Sequence, residues 1–308
     1  MELKVDSDLF KIAAKTCSLK LKQYQSLWSM WTWKLDAFSI KEQDGKYKTI
    51  DIEISLDKQK HKLDCNLEEL KLLCKEHTGL FCRKVYQLSH SQTLWMFTGS
   101  NEENKKTFLS YIVNAQWDKI QLLEDHTETQ GQAAFEYLAQ MMPGVLAKWQ
   151  MLTIHSALIE YQGAAFAVCA PSGVGKTTHA RLWRDAKNAL ILNGDRTVCE
   201  KVGGQWIAYG TPWSGTSGEE INRQAPLKAV VILNRSEENK VQKLSKMDAF
   251  RKIFPQLVYP SWNQELTGII MDILNQLLED IPVYCLYCRP DREAVEVLER
   301  EIYKEKQT

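Results

Sequence analysis

Net charge is what this chain most plainly lacks. Its 39 basic and 39 acidic side chains cancel, which argues against a general nucleic-acid or membrane-surface binder. Long apolar runs are missing too, since none reaches the roughly 18 residues a spanning helix needs. Met1 to Phe10 carries four charged residues and no apolar core of signal-peptide length. The cysteines show no pairing pattern. Cys17, Cys65, Cys74, Cys82, Cys169 and Cys199 are scattered, and the one CxxC, Cys285-Leu286-Tyr287-Cys288, lies in a strand-like run. There its two sulfurs point to opposite faces, and no second CxxC completes a zinc site. His61, His77, His90 and His126 have no metal-ligand spacing to one another or to cysteine pairs. Each reads as a surface histidine or a satisfied core one. These absences lead us to expect a reduced cytoplasmic protein with free thiols.

What is present is enough apolar material for a core without disulfides, 44% of 308 residues, and length for two domains. We place the boundary at 150. Residues 1–150 read as an α+β domain. Trp28 to Trp33 is an alternating aromatic stretch, Gln43-Asp44-Gly45-Lys46 a turn, and Ile50 to Leu56 an alternating half-buried strand. Leucine spacing predicts a helix over 67–74. Further helices are expected over 106–115 and 133–149, the latter interrupted by Pro143-Gly144. Val85 to Leu88 and Thr93 to Phe97 read as strands. No catalytic constellation stands out in this half.

Residues 151–308 have a centre. Ala164 to Cys169 is an apolar run that reads as a buried strand. Ala170-Pro171-Ser172-Gly173-Val174-Gly175-Lys176-Thr177-Thr178 follows, and Ala180, Leu182 and Trp183 open a helical stretch. Strand, glycine-bearing loop, helix is the setting of a P-loop. Gly173 and Gly175 let backbone N–H groups face inward as an anion cradle at the positive end of the helix. Lys176 can reach β- and γ-phosphates, and the Thr177 hydroxyl can ligate Mg²⁺. Ala170 stands where the pattern has glycine, a change that disfavours positive φ. The bland alternative is a turn that binds nothing. Against it, a lysine at a bare helix N-terminus opposes the dipole unless an anion is present. A second buried strand, Ala189 to Leu192, runs into Asn193-Gly194-Asp195-Arg196, where Asp195 is placed to reach the nucleotide's Mg²⁺. We expect this strand to neighbour the one feeding the loop. Gly210 to Gly218 is a loop rich in glycine and hydroxyls, either a ligand-closing or a linking segment. Strands are expected over 205–209, 227–233 and 281–287. Helices are expected over 271–278 and from Asp291 to Tyr303.

Three features resemble HPr serine kinase/phosphorylase, whose catalytic domain shares its core with ATP-type phosphoenolpyruvate carboxykinase. They are the loop Ser172 to Thr177, His155 standing 21 residues before Lys176, and Leu192-Asn193-Gly194-Asp195-Arg196, where the family has two adjacent aspartates and a basic residue. The resemblance covers roughly residues 152–235 well and says nothing of 1–150. Our own reading of 1–150 as a smaller α+β domain makes acceptor or partner recognition its expected role, and the resemblance implies an α/β P-loop kinase domain after it. It also implies ATP and Mg²⁺ and phosphoryl transfer to a hydroxyl, in most members a serine of a peptide or protein. Lys176 would hold the triphosphate, Thr177 and Asp195 the metal, and His155 with Asp195 would take the proton. Gly194 removes one carboxylate of the family pair, and Thr177-Thr178 is closer to the carboxykinase pattern. The chain looks most like diverged HPr-kinase-like proteins found beside peptide-modification genes, including lasso-peptide kinases. We expect a peptide or protein acceptor, no nucleic acid and no membrane, with homo-oligomers compatible. The rivals are a non-catalytic nucleotide-binding scaffold and a kinase of a small hydroxylated metabolite such as a free amino acid.

Overall fold

The structure, a computed structural model, describes residues 8–20, 35–40, 51–56, 66–78, 81–99, 107–127, 132–171 and 173–303. The aromatic stretch 28–33, the turn 43–46, Ile50, His61 and Ser172 lie outside these residues. The chain is mixed α/β with two large sheets, and it divides into two compact units, Met1–Val145 and Leu146–Thr308. No described helix is long and apolar enough to cross a membrane.

In the first unit the strands are β1 (Asp8–Ile12), β2 (Lys15–Lys20), β3 (Ile52–Ser55), β4 (Lys71–His77), β5 (Phe81–Ser89), β6 (Gln92–Gly99), β7 (Thr107–Asn114) and β8 (Lys119–Asp125). Their order is β1-β2-β3-β8-β7-β6-β5-β4. The run from β4 to β8 is an antiparallel meander, and β3 joins β8 in parallel. Trp95, Phe97 and Tyr111 are fully buried, with Trp95 opposite Tyr111 across β6 and β7. Helix α1 (Gln132–Leu138) closes this core. Its Tyr137 ring meets Phe81 at 4.9 Å and Phe97 at 4.8 Å, and Tyr111 Oη donates to the Ala134 carbonyl.

Two expected helices are strands. Over 67–74 a single 3₁₀ turn, Leu67–Glu69, gives way to β4. The leucines match a helical period, but β5 offers a backbone ladder from Lys71 opposite Gln87 to His77 opposite Cys82, and Leu72 is left 47% exposed. Pairing outweighed a weak local preference. Over 106–115 the segment is β7, whose Thr, Phe, Tyr, Ile and Val content suits a half-buried sheet better than a helix. The expected interruption at Pro143-Gly144 is also displaced. The break precedes α2 (Met142–Lys148), and Pro143 sits in that helix's first turn, where its missing N–H costs nothing. Gly144 is demanded by packing, because a Cβ there would lie 2.2 Å from the Trp117 ring.

In the second unit the elements are β9 (Leu152–Tyr161), β10 (Ala164–Cys169), α3 (Lys176–Lys187), β11 (Leu190–Asn193), β12 (Arg196–Val202), β13 (Gln205–Tyr209), β14 (Gln224–Arg235), β15 (Lys240–Lys243), α4 (Lys246–Ile253), α5 (Gln264–Asp280), β16 (Val283–Cys288) and α6 (Arg292–Ile302). β10, β14 and β16 run parallel. β11 is not beside β10, as we expected; β9 lies between them, antiparallel to both, and continues along β12. This places His155 of β9 opposite Arg196. α3 and α6 share one apolar cluster, with Trp183, Phe166, Val168, Ala294 and Leu298 buried in it. Trp183 packs on Phe166 at 4.7 Å and on Tyr161 at 5.5 Å. α5 lies against β9. Asn263, Ser245 and Asp291 cap α5, α4 and α6 through their side chains.

Candidate functional site

Helix α3 starts differently from those three. Its N-cap is Gly175, with no side-chain hydrogen bond, and its first turn holds no acidic residue. The N–H groups there are open to an anion. Gly175 has φ 124° and Gly173 φ 77°. A Cβ at Gly173 would meet nothing within 4 Å, and at Gly175 only Leu233 Cδ2 at 3.9 Å. Backbone conformation, not crowding, therefore requires glycine at both positions, and the space above the loop is free. Ala170 takes no positive φ and is 1% exposed in the core cluster. The conflict expected from its methyl group does not arise, because this position packs inward. Pro171 and Thr178 are exposed, while Val174 and Thr177 are half-buried.

Lys176 is buried at the first position of α3 and donates from Nζ to the Ala170 carbonyl at 2.8 Å. Burial pushes its pKa below the ordinary lysine value, and Asp195 pulls it back. Arg235, at the end of β14, donates from Nη2 to the Gly173 carbonyl at 2.5 Å and from Nε to the Val174 carbonyl at 3.2 Å. Two loop carbonyls are thus held outward.

Asp195 sits at a break in the ladder. Gly194 and Asp195 belong to no strand, although Ser156 N still donates to Asp195 O at 3.0 Å. The break turns the carboxylate toward β9, where Asp195 Oδ1 lies 3.4 Å from His155 Nε2. Arg196 Nε stands 3.5 Å from Oδ2. The His155 contact holds the Asp195 carboxyl below its ordinary pKa, helped by Arg196 and Lys176, although burial pushes the other way.

Asn193 organises this turn, a role the sequence did not reveal. It is fully buried. Its Nδ2 donates to the Thr211 carbonyl at 3.0 Å, Thr211 Oγ1 at 3.2 Å and the Trp213 carbonyl at 3.1 Å. Its Oδ1 accepts from Asp195 N at 2.9 Å and Arg196 N at 2.8 Å. One side chain therefore ties the Asp195 turn to the loop 210–218. That loop folds directly onto the turn. A Cβ on Gly194 would lie 2.1 Å from Ser217 Oγ, and one on Gly215 2.8 Å from Asp195 Cγ. The Ser217 hydroxyl side chain thus fills the space that a side chain at Gly194 would take.

A cleft of about 660 Å³ opens beside the glycine loop. Gly173, Gly175 and Thr178 line one side, Leu233 to Glu237 at the end of β14 another, and Cys288 to Pro290 at the end of β16 a third. It lies at the carboxyl ends of parallel strands, where α/β sheets collect ligands. His179 and Leu182 of α3 also line it. His179 went unremarked in the sequence, and its only local sign is a tryptophan four residues on, one helical turn away. Among the described residues no group of three His, Cys, Asp or Glu side chains is placed to hold a metal. Mg²⁺ in phosphate sites takes one or two carboxylates and relies on the phosphates for the rest. Asp195 and the Thr177 hydroxyl are ligands of the right kind.

A glycine loop opens a helix with a lysine at its first position, and a histidine–carboxylate pair lies in the same mixed α/β unit. The chain belongs to the family described as SynChlorMet cassette protein ScmC, which matches residues 137–302, more than half of its length. No curated protein matches the chain. Among solved structures, the Hpr(Ser) kinase/phosphatase from Coxiella burnetii is similar over 48% of this chain and 94% of its own, with 11% identity and a TM-score of 0.30. A likeness at that level says nothing of activity.

Proposed function

We propose that this protein is an ATP-dependent phosphotransferase acting on a hydroxyl, with a serine of a peptide or protein as acceptor. The observation that carries the reading is the 3.4 Å contact between His155 and Asp195, in a unit where Asp195 and Lys176 perturb each other's ionisation. The residue pattern shared with HPr serine kinases agrees with it. The backbone of 170–175 and Lys176 would take the β- and γ-phosphates, Lys176 exchanging its bond to the Ala170 carbonyl for a phosphate oxygen. Thr177 and Asp195 would hold Mg²⁺, which supplies charge neutralisation on the phosphates when bound. The acceptor oxygen bonds to the γ-phosphorus, the bond from that phosphorus to the bridging oxygen breaks, and ADP leaves. Asp195 is held ionised and acidic, which suits a ligand and an orienter better than a base at neutral pH. The imidazole of His155 then receives the hydroxyl proton, with Asp195 fixing its orientation. Positioning and charge supply most of the acceleration. Residues 1–150 serve acceptor recognition in this reading, since every phosphate-handling residue lies after them.

The test is phosphate transfer from labelled ATP with Mg²⁺ to serine-containing peptides, to free serine and to no acceptor. Transfer to peptides alone supports the reading. Transfer to free serine alone makes it a small-molecule kinase, and binding of ATP without any transfer makes it a scaffold. Asp195→Asn should lower turnover by roughly 10²–10⁴-fold while changing ATP affinity far less. Equal losses in both would remove the base-orienting role.

A further inference from the structure

His179 is 2% exposed. Its Nε2 lies 3.1 Å from Trp183 Nε1, and an indole N–H can only donate. Nε2 must therefore be the bare, accepting nitrogen. With Nε2 bare, the ring's one proton sits on Nδ1. Trp183, locked in the core cluster between Phe166 and Tyr161, thus selects the tautomer. The outcome is a fixed donor, Nδ1–H, that meets no acceptor among the described residues. A buried donor left unmet is rare in native proteins and marks a partner still to be supplied.

His179 lines the cleft of about 660 Å³ that begins at Gly173 and Gly175. Beyond the loop the cleft has an apolar floor of Leu182, Leu233 and Cys288, with Asn234 to Glu237 and Arg289 supplying polar and charged groups around it. That is the composition of a small-molecule pocket, next to a loop whose backbone suits phosphates. We infer that the cleft between α3 and the ends of β14 and β16 holds the nucleoside of the bound triphosphate, and that His179 Nδ1–H donates to an acceptor on its sugar or base. This rests on the nucleotide reading above. Nδ1 is covered, so the contact forms with a small side-chain movement at the cleft wall, where Val174 and Leu182 are only partly buried. Trp183 acts through His179 as a positioning residue.

The experiment compares ATP with inorganic tripolyphosphate, which carries the phosphates without the nucleoside. Calorimetry on the full chain should show His179→Phe weakening ATP about tenfold, the effect of one lost hydrogen bond, with tripolyphosphate affinity unchanged. The analogue for which wild type and variant bind alike names the acceptor, 2′-deoxy- or 3′-deoxy-ATP for the sugar and 7-deaza-ATP for the base. A variant that binds ATP like wild type overturns the inference, as does one that loses ATP and tripolyphosphate equally. A wild type that binds neither ligand overturns the nucleotide reading itself, and the inference with it. If the variant does not fold, nitrogen-15 NMR of wild-type histidine decides. The Nδ1 proton should shift with ATP and stay put with tripolyphosphate; no shift with ATP, or the same shift with both, overturns the assignment.

Discussion

Trp95 in the first unit and Trp183 in the second are both fully buried, and both give their indole N–H to a partner at 3.1 Å. Trp95 donates to Thr93 Oγ1, which in turn donates to the Val113 carbonyl at 3.4 Å. That chain of donors ends inside the sheet. Trp183 donates to His179, whose other nitrogen reaches no described acceptor. The first arrangement spends its polarity on holding strands together. The second leaves a donor at the edge of a cleft, a few residues from an uncapped helix start. The same contrast runs through the histidines. His77, His90 and His126 of the first unit are exposed, whereas His155 pairs with a carboxylate and His179 is buried neutral. A buried polar group that the fold does not satisfy internally needs an explanation, and at His179 the adjoining cleft supplies one.

The comparison breaks most severely at Lys176. Lys176→Ala should lower phosphoryl transfer by roughly 10³–10⁵-fold, the range for removing one cation from such a site. Thermal unfolding followed by circular dichroism should stay near wild type, and near-normal turnover in the purified variant would end the phosphate-site reading. In the first unit the matching change is Trp95→Ala. It removes a buried ring and should destabilise that unit by about 3–5 kcal/mol, read by urea titration. ATP affinity should stay unchanged, and a large drop in it would argue against separate roles for the units.

Acid sharpens the contrast. His179 has its folded pKa depressed to about 4, from an ordinary value of about 6.5. The folded state binds fewer protons, so this contribution is complete above pH 6.5 and declines as pH falls toward 4. The second unit should lose up to about 3 kcal/mol over that window, and His179→Phe should flatten the dependence. The first unit, with its described histidines exposed, should show little of it. Proton-linked unfolding of equal size in both units would contradict the assignment. The smallest effect is at Gly194. Gly194→Ala places a methyl on Ser217 and should cost about 1–3 kcal/mol. Adding Ser217→Gly should recover most of that, a coupling that a double-mutant cycle measures directly.

Local pattern carried the reading wherever a few consecutive residues decide the conformation. The apolar run of β10 and the start of α3 after Gly175 lie where their residues suggested. So do β5, β6, β13 and β16. Pattern failed at β4 and β7 because their helical leucine and polar spacing said nothing of the ladders offered by β5, β6 and β8. It also placed β11 beside β10, since nothing within either strand reveals that β9 runs between them.

The candidate site divides the same way. Positive φ at Gly173 and Gly175, the uncapped helix end and a lysine at its first position are consequences of neighbouring residues, and the sequence by itself determined them. The 3.4 Å meeting of His155 and Asp195 needed the register of β9 against β12. Five hydrogen bonds on Asn193 needed the loop 210–218 to return onto the turn. The close approach of Ser217 to Gly194 needed that same return. Whether His179 titrates near 6.5 or near 4 depends on burial, and which nitrogen keeps its proton depends on Trp183. Those are properties of contacts between segments distant in the chain. Only the tertiary structure decided them, because desolvation and hydrogen-bond partners exist only once the sheet has assembled.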